Sequence, residues 1–337
     1  MLKSDFIKEI YNRPFDFMLI TAFVVLLFIT VLTAGCGEVK AEKSVLALDT
    51  VIRLTAEGKN SDRVLNDSAE FLKSLDKKAN FDDNSELSVL NKDTSKNFIN
   101  VSPGIYEMLT LGEYYTDFTK QNYNISAGAL VKLWDKAREK EEIPQADDIR
   151  AAKSAVNAQS IILDDNKVKK SNADVELTFG GIAKGYAADK IYSLYKESDV
   201  TGFMNFGTST ILACGDKIYR VGIKNPRDEN AMIGVVTLKN EVLSTSGDYE
   251  RYFIKNNTRY HHIIDPFTGY PTNNGIASVT VIVPLSYENA GVMSDVLSTA
   301  LMVAGEKGRE FLPDDVKVLF VMANGELAVL NGFELEQ

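Results

Sequence analysis

The sequence predicts an α+β fold, in which helices and mainly antiparallel strands occupy separate stretches of the chain. Up to about residue 197, apolar residues recur mostly at helical spacing. From Gly202 onward, short apolar runs alternate with turn residues. The chain has 337 residues, 45% of them apolar, enough for a sizeable core in one large domain or two lobes.

A net charge of -10 argues against nucleic acid as a partner, because phosphate backbones need a basic surface. It leaves room for a local basic pocket. Residues 1–35 read as an address. Lys3, Lys8 and Arg13 precede an apolar run from Phe17 to Leu32, which ends in Thr33-Ala34-Gly35-Cys36. Small residues directly before a cysteine resemble a bacterial lipobox, with residues 1–35 removed and Cys36 lipidated. An uncleaved membrane anchor is the alternative. Either reading puts the remainder on the extracytoplasmic face of the cell membrane, with residues 36–43 as a tether and 44–337 as the folded domain. With Cys36 acylated, Cys214 has no partner for a disulfide, and the absence of a CxxC or His/Cys cluster argues against structural zinc.

In chain order, Val45–Ala56 reads as a strand and Ser61–Ala79 as a helix. Phe81 leads a polar loop, either a plain capped helix start or a ring wall beside a ligand. Ser102-Pro103-Gly104 opens a helix to about Phe118, with proline in the first turn. Residues 122–130 are rich in small side chains and precede the single tryptophan, Trp134. Pro144–Val156 reads as a solvated helix, Ile161–Leu163 and Val175–Leu177 as strands, and Ile182–Tyr195 as a helix. Strands follow at Phe203–Phe206, Ile218–Ile223, Ile233–Leu238, Arg251–Ile254 and Ala277–Val283.

Three stretches carry chemistry. Thr178-Phe179-Gly180-Gly181 breaks into a helix bearing Lys184 one turn in. Adjacent glycines, a helix N-terminus and a lysine suit an anion or phosphate grip, although a tight turn with a surface lysine has the same pattern. The only two histidines, His261 and His262, precede a stiff Asp265-Pro266-Phe267-Thr268-Gly269-Tyr270-Pro271 loop. In an extended segment they face opposite sides, so at most one points into a given site, where it would suit a general base; a pair of surface strand histidines has the same pattern. The helix over 288–305 lacks Lys, Arg and Glu between Val292 and Ala304, which marks it as buried. Asp295 and Thr299 lie one turn apart on it. A buried carboxylate must be paired, protonated or metal-bound, and Asp, Thr and a backbone carbonyl together suit magnesium.

Phe81–Asn91, Asn124–Trp134, the Gly180–Asp189 stretch, Leu243–Tyr249, the His261–Pro271 loop and Ser294–Gly305 together resemble the ApbE-like FAD:protein FMN transferases, over roughly residues 44–330. The resemblance implies a T-fold-like α+β architecture with mainly antiparallel sheets and packed helices. It also implies a magnesium-dependent reaction: FMN passes from FAD to a threonine or serine hydroxyl of a partner protein, and AMP leaves. Carried over residue by residue, it implies metal binding by Asp295, Thr299 and the Gly181 carbonyl, and a base in His262. FAD contacts fall to Leu48, Phe81, Asn122, Tyr123, Asn124, Thr178, Lys184, His262 and Ile264. The implied partner is a flavin-accepting redox protein. Thr178 stands where the family usually has an FAD-binding aspartate; Asn124, Ala129 and Thr208 also depart from the common pattern. Two other activities share these residues: a magnesium-dependent FAD pyrophosphatase, and an FAD-binding lipoprotein without chemistry.

Overall fold

The computed structural model describes residues 40–336, apart from 158 and 208. The address segment, Cys36 with the tether as far as residue 39, and Thr208 therefore lie outside the described residues.

The first elements are β1 (Lys40–Ala47) and β2 (Thr50–Glu57), paired from Lys40↔Glu57 to Ala47↔Thr50. This corrects two expectations: Lys40–Lys43 belong to a strand and not to a tether, and Val45–Ala56 is a hairpin and not one strand. Leu48 and Asp49 both take positive φ, 53° and 59°, in the two-residue turn that matches strand twist. No glycine or asparagine marks that turn.

Next come α1 (Ser61–Ala79), α2 (Glu86–Lys92), β3 (Ile99–Asn100), α3 (Pro103–Phe118), α4 (Gly128–Lys140) and α5 (Ala146–Ser154). Ser85 caps α2, its hydroxyl accepting from Ser88 N at 3.0 Å. β4 (Ile161–Asp164) and β5 (Lys167–Lys170) form a small sheet with β3, in the order β3-β5-β4. Val175–Leu177 is not the expected strand, and its Glu176 makes only an isolated bridge to Ala127. Asn91 takes a strand partner's place: its amide accepts from Leu177 N (2.7 Å) and donates to Leu177 O (2.9 Å).

After α6 (Ala183–Glu197) come β6 (Thr201–Phe206), β7 (Thr210–Cys214), β8 (Tyr219–Asn225), β9 (Asp228–Leu238) and β10 (Glu241–Gly247). They are followed by β11 (Tyr252–Lys255), β12 (Thr258–His261), β13 (Ile276–Pro284), α7 (Ala290–Ala304), β14 (Lys317–Met322) and β15 (Leu327–Leu330). The main sheet runs β1-β2-β6-β7-β10-β13-β14-β15, with every neighbour antiparallel.

Period-two alternation divides the core between the faces of this sheet. Val242 on β10 and Val281 on β13 join the large cluster that includes α1, α6 and α7, whereas Leu243 and Ile282 join a second cluster with the β8–β9 ribbon. A third cluster gathers Leu130, Trp134, Ala137, Ile149, Phe253 and Ile264 beneath the His262 loop. Cys214 is buried and forms no disulfide among the described residues. Among the described residues, no helix is long and apolar enough to cross a membrane.

Candidate active site

The site is built where α6 and α7 cross at two glycines. A Cβ on Gly185 would lie 2.2 Å from Gly291 O, and one on Gly291 would lie 2.4 Å from Gly185 O. Only glycine lets two helix backbones come this close. One turn after each glycine stands an aspartate that serves the opposite helix. Asp295 on α7 accepts from Gly185 N in the first turn of α6, at 3.0 Å. Asp189 on α6 accepts from Gly291 N (2.7 Å) and Val292 N (2.8 Å) in the first turn of α7. Neither helix has a side-chain cap of its own, so each is capped by its neighbour. The anion at the start of α6 is thus a protein carboxylate, and the expected phosphate grip does not use the Gly185 N–H.

Both carboxylates are buried. Burial raises the Asp295 pKa, while Lys184 and the backbone N–H groups of Gly185 and Lys184 oppose the rise. Burial lifts Asp189 to about 7 against its two N–H donors. Hydroxyl pairs join the polar side of α7 to β10: Ser244–Ser294 at 2.7 Å, Ser246–Ser298 at 2.8 Å and Ser246–Thr299 at 3.3 Å. These fix the helix against the sheet.

Thr299 in turn meets Gly181. A Cβ there would lie 2.8 Å from Thr299 Oγ1, and the residue's φ of +78° is left-handed. Backbone at 181 and the Thr299 hydroxyl therefore share a space that a side chain would fill. Tyr123 is buried, its hydroxyl without a partner among the described residues; burial first, and then Asp295, raise its pKa. Asn124 is also buried, its Oδ1 accepting from Ser126 N (2.9 Å) while its Nδ2 has no partner among the described residues. Thr178 N donates to Ile125 O (2.9 Å) and Gly128 N to Glu176 O (2.9 Å), which laces the 124–128 segment to the approach to Gly181. Thr178 Oγ1 accepts from Gly180 N at 3.1 Å.

Lys184 Nζ donates to Ser209 Oγ at 2.7 Å. Burial lowers its pKa, and Asp295 counters that. His262 Nδ1 is buried and has no hydrogen-bond partner among the described residues. Burial pushes the His262 pKa down to about 3, with Arg251, His261, Lys184 and Arg138 adding to the shift. The imidazole is neutral at ordinary pH and has a nitrogen lone pair free. An open cleft of about 510 Å³, lined by Asp49, Arg138, Glu250, Arg251 and Tyr252, contains the two arginines that act on it.

The remaining predicted contacts have protein partners of their own. Leu48 N donates to Asp76 Oδ1 at 2.8 Å in the β1–β2 turn, and the next residue, Asp49, reaches Arg251 at 3.6 Å. Asn122 Nδ2 donates to Thr119 O at 2.9 Å. Phe81 is partly exposed, with Lys132 Nζ 5.1 Å from its ring centre. The Ile264 side chain is taken up by the third core cluster.

A family model described as the ApbE family matches residues 48–320. The chain belongs to the ApbE family. An FAD:protein FMN transferase of Klebsiella pneumoniae is 32% identical over 72% of this chain and 77% of the relative. One of Treponema pallidum is 30% identical over 71% of each. The crystal structure of the ApbE protein of Thermotoga maritima superimposes with a TM-score of 0.77 at 28% identity, covering 88% of this chain and 97% of that one.

In this ApbE-family chain, sequence reasoning missed Asp189, Ser209, Ser246 and the arginine-bearing cleft. Asp189 had a readable signal, because Gly185-x-x-x-Asp189 repeats as Gly291-x-x-x-Asp295. The arginines had none: Arg138 is on α4 and Arg251 lies just before β11.

Proposed function

We propose that this chain is an FAD:protein FMN transferase that uses magnesium, modifies a threonine or serine hydroxyl and releases AMP. The observation that carries the reading is the convergence of Asp295, Thr299 and the Gly181 backbone beside Lys184. Among the described residues, no group of three or more His, Cys, Asp or Glu side chains stands ready for a metal. A cation at this point depends on one carboxylate plus hydroxyl and carbonyl oxygens. That donor set fits magnesium, which completes its shell with water and substrate phosphate. Asp295, Thr299 and the Gly181 carbonyl would hold it, and the cradle at Gly181, which admits no Cβ, supports the fit. When bound, the ion supplies charge neutralisation at a pyrophosphate.

The protein's own groups account for the rest. The Lys184 ammonium, fixed by Ser209, lies where a phosphate oxygen can accept from it. The neutral His262 ring takes the proton of the acceptor hydroxyl. That oxygen then attacks the FMN-side phosphorus, the bond between the two phosphates breaks, and AMP departs. Arg251, Lys184 and Arg138 depress the basicity of His262 in the free protein. Burial is the larger cause of that depression, and an incoming pyrophosphate offsets only the share that comes from those charges, raising the basicity part of the way. Leu48, Phe81, Asn122, Tyr123, Asn124, Thr178 and Ile264 complete the proposed FAD environment.

The acceptor is read as a flavin-carrying redox protein. The enzyme is read as a lipoprotein held at the extracytoplasmic face of the membrane by Cys36, a reading that rests on the lipobox-like sequence. Incubating the enzyme with FAD, magnesium and membranes of the source cell tests transfer by mass spectrometry. FMN bound to a Ser or Thr of a protein supports transfer, whereas free FMN alone marks a pyrophosphatase. Intact FAD marks a binding protein.

A further inference from the structure

His262 follows a second histidine whose ring is wholly committed. His261 closes β12 opposite Tyr252, and its side chain is buried. Its Nδ1 accepts from Ile263 N at 3.3 Å, and its Nε2 lies 2.8 Å from Thr272 O. A carbonyl only accepts and an amide N–H only donates, so the ring proton sits on Nε2 and donates to Thr272. This neutral tautomer ties residue 263 to residue 272 across the base of the loop. Three more contacts close the same ring of chain: Thr272 N donates to Ile263 O at 3.0 Å, Ile264 bridges Pro271, and Trp134 Nε1 donates to Gly269 O at 2.8 Å. Thr272 Oγ1 donates to Met302 O on α7 at 3.3 Å, joining the loop to the helix that carries Asp295.

We propose that His261 is a positioning residue: its Nε2–H tautomer locks the loop that presents His262, and it takes no part in proton transfer. The inference rests on the reading of His262 as the base. A ring that merely filled space would be replaceable by an apolar side chain of similar size. A ring that anchors the loop is replaceable only by a side chain that donates to Thr272 O. Glutamine offers an amide N–H for that purpose; leucine offers nothing.

The two histidines make ring-nitrogen NMR with ¹⁵N-labelled histidine readable at both sites. In the wild-type protein the expected His261 signal is a neutral ring protonated at Nε2. In His261→Leu, the His262 ring signal shifts, its titration midpoint climbs towards the ordinary value of about 6.5, and the Ile263 and Thr272 amides exchange about tenfold faster. His261→Gln restores wild-type behaviour in all three. An unchanged His262 signal and unchanged exchange in His261→Leu would overturn the proposal. So would a wild-type His261 proton on Nδ1, a result that requires no variant to fold. His262→Ala separates the two ideas: undiminished FMN transfer by that variant sinks the base assignment and leaves the loop measurements standing.

Discussion

Replacing Gly185 with alanine sets helix propensity against a backbone collision. An alanine Cβ would lie 2.2 Å from Gly291 O, 2.6 Å from Gly291 C and 2.8 Å from Val292 Cα. All three are backbone atoms, so no rotamer change relieves the contact. Non-bonded heavy atoms sit best at about 3.5–4.0 Å, so α6 and α7 must part by roughly 1 Å. Overpacking of this kind costs about 1–3 kcal/mol. Separation also stretches the Gly185–Asp295 and Asp189–Gly291 bonds, and hydrogen bonds to charged groups contribute about 1.5–3 kcal/mol each. Better helix propensity returns only about 1 kcal/mol. With those bonds weakened but not lost, the expected net loss is about 2–4 kcal/mol. Urea unfolding measures it, and titration with magnesium and FAD should show weakened binding. A Gly185→Ala protein as stable as wild type, with binding intact, would refute the reciprocal capping as the device that builds the site.

Other expectations follow from the same geometry. His262→Ala should lower FMN transfer by about 10²–10⁴ while FAD affinity, measured by calorimetry, stays near wild type. The folded-state pKa of His262 lies near 3, below the ordinary 6.5, so the unfolded chain takes up a proton that the folded chain refuses as pH falls through 6.5 towards 3. His262→Gln should therefore lose about 2 kcal/mol less stability than wild type between pH 7 and pH 5, read from urea midpoints at each pH. Asp189→Asn keeps at most one of the two acceptors for the first turn of α7 and should destabilise the protein by about 1–3 kcal/mol. Its hydrogen exchange should rise first at Gly291 and Val292. Lys184→Met should weaken FAD binding and leave folding intact, a split visible by comparing calorimetry with thermal melts.

Legibility in the sequence followed the strength of local signals. The helix over 61–79 showed in its periodicity, and the one over 103–118 in its Ser-Pro start, because each sheds one apolar face into the core. β7 and β10 were missed. β7 is buried along its whole length, and β10 carries Ser244 and Ser246 inward against Ser294, Ser298 and Thr299, so neither alternates in the ordinary way. The turn at Leu48-Asp49 was invisible because tertiary contacts, among them Asp76 on Leu48 N, hold it in place of a glycine. At the site, Asp295 and Thr299 could be paired from helical spacing, since both sit on one element. Their meeting with Gly181 depends on where α6 crosses α7, which no local pattern encodes. The glycine at each crossing point and the aspartate one turn later were in plain view, but the reciprocity between the two helices emerges only in three dimensions.

The most direct test of the proposed reaction is AMP release from FAD by the chain that follows Cys36, with acceptor-bearing membranes, with and without magnesium, for wild type and Asp295→Ala. The account predicts AMP from the wild-type protein only when magnesium is present, and none above background from Asp295→Ala. AMP release that persists without magnesium, or that survives the loss of the Asp295 carboxylate, would contradict it.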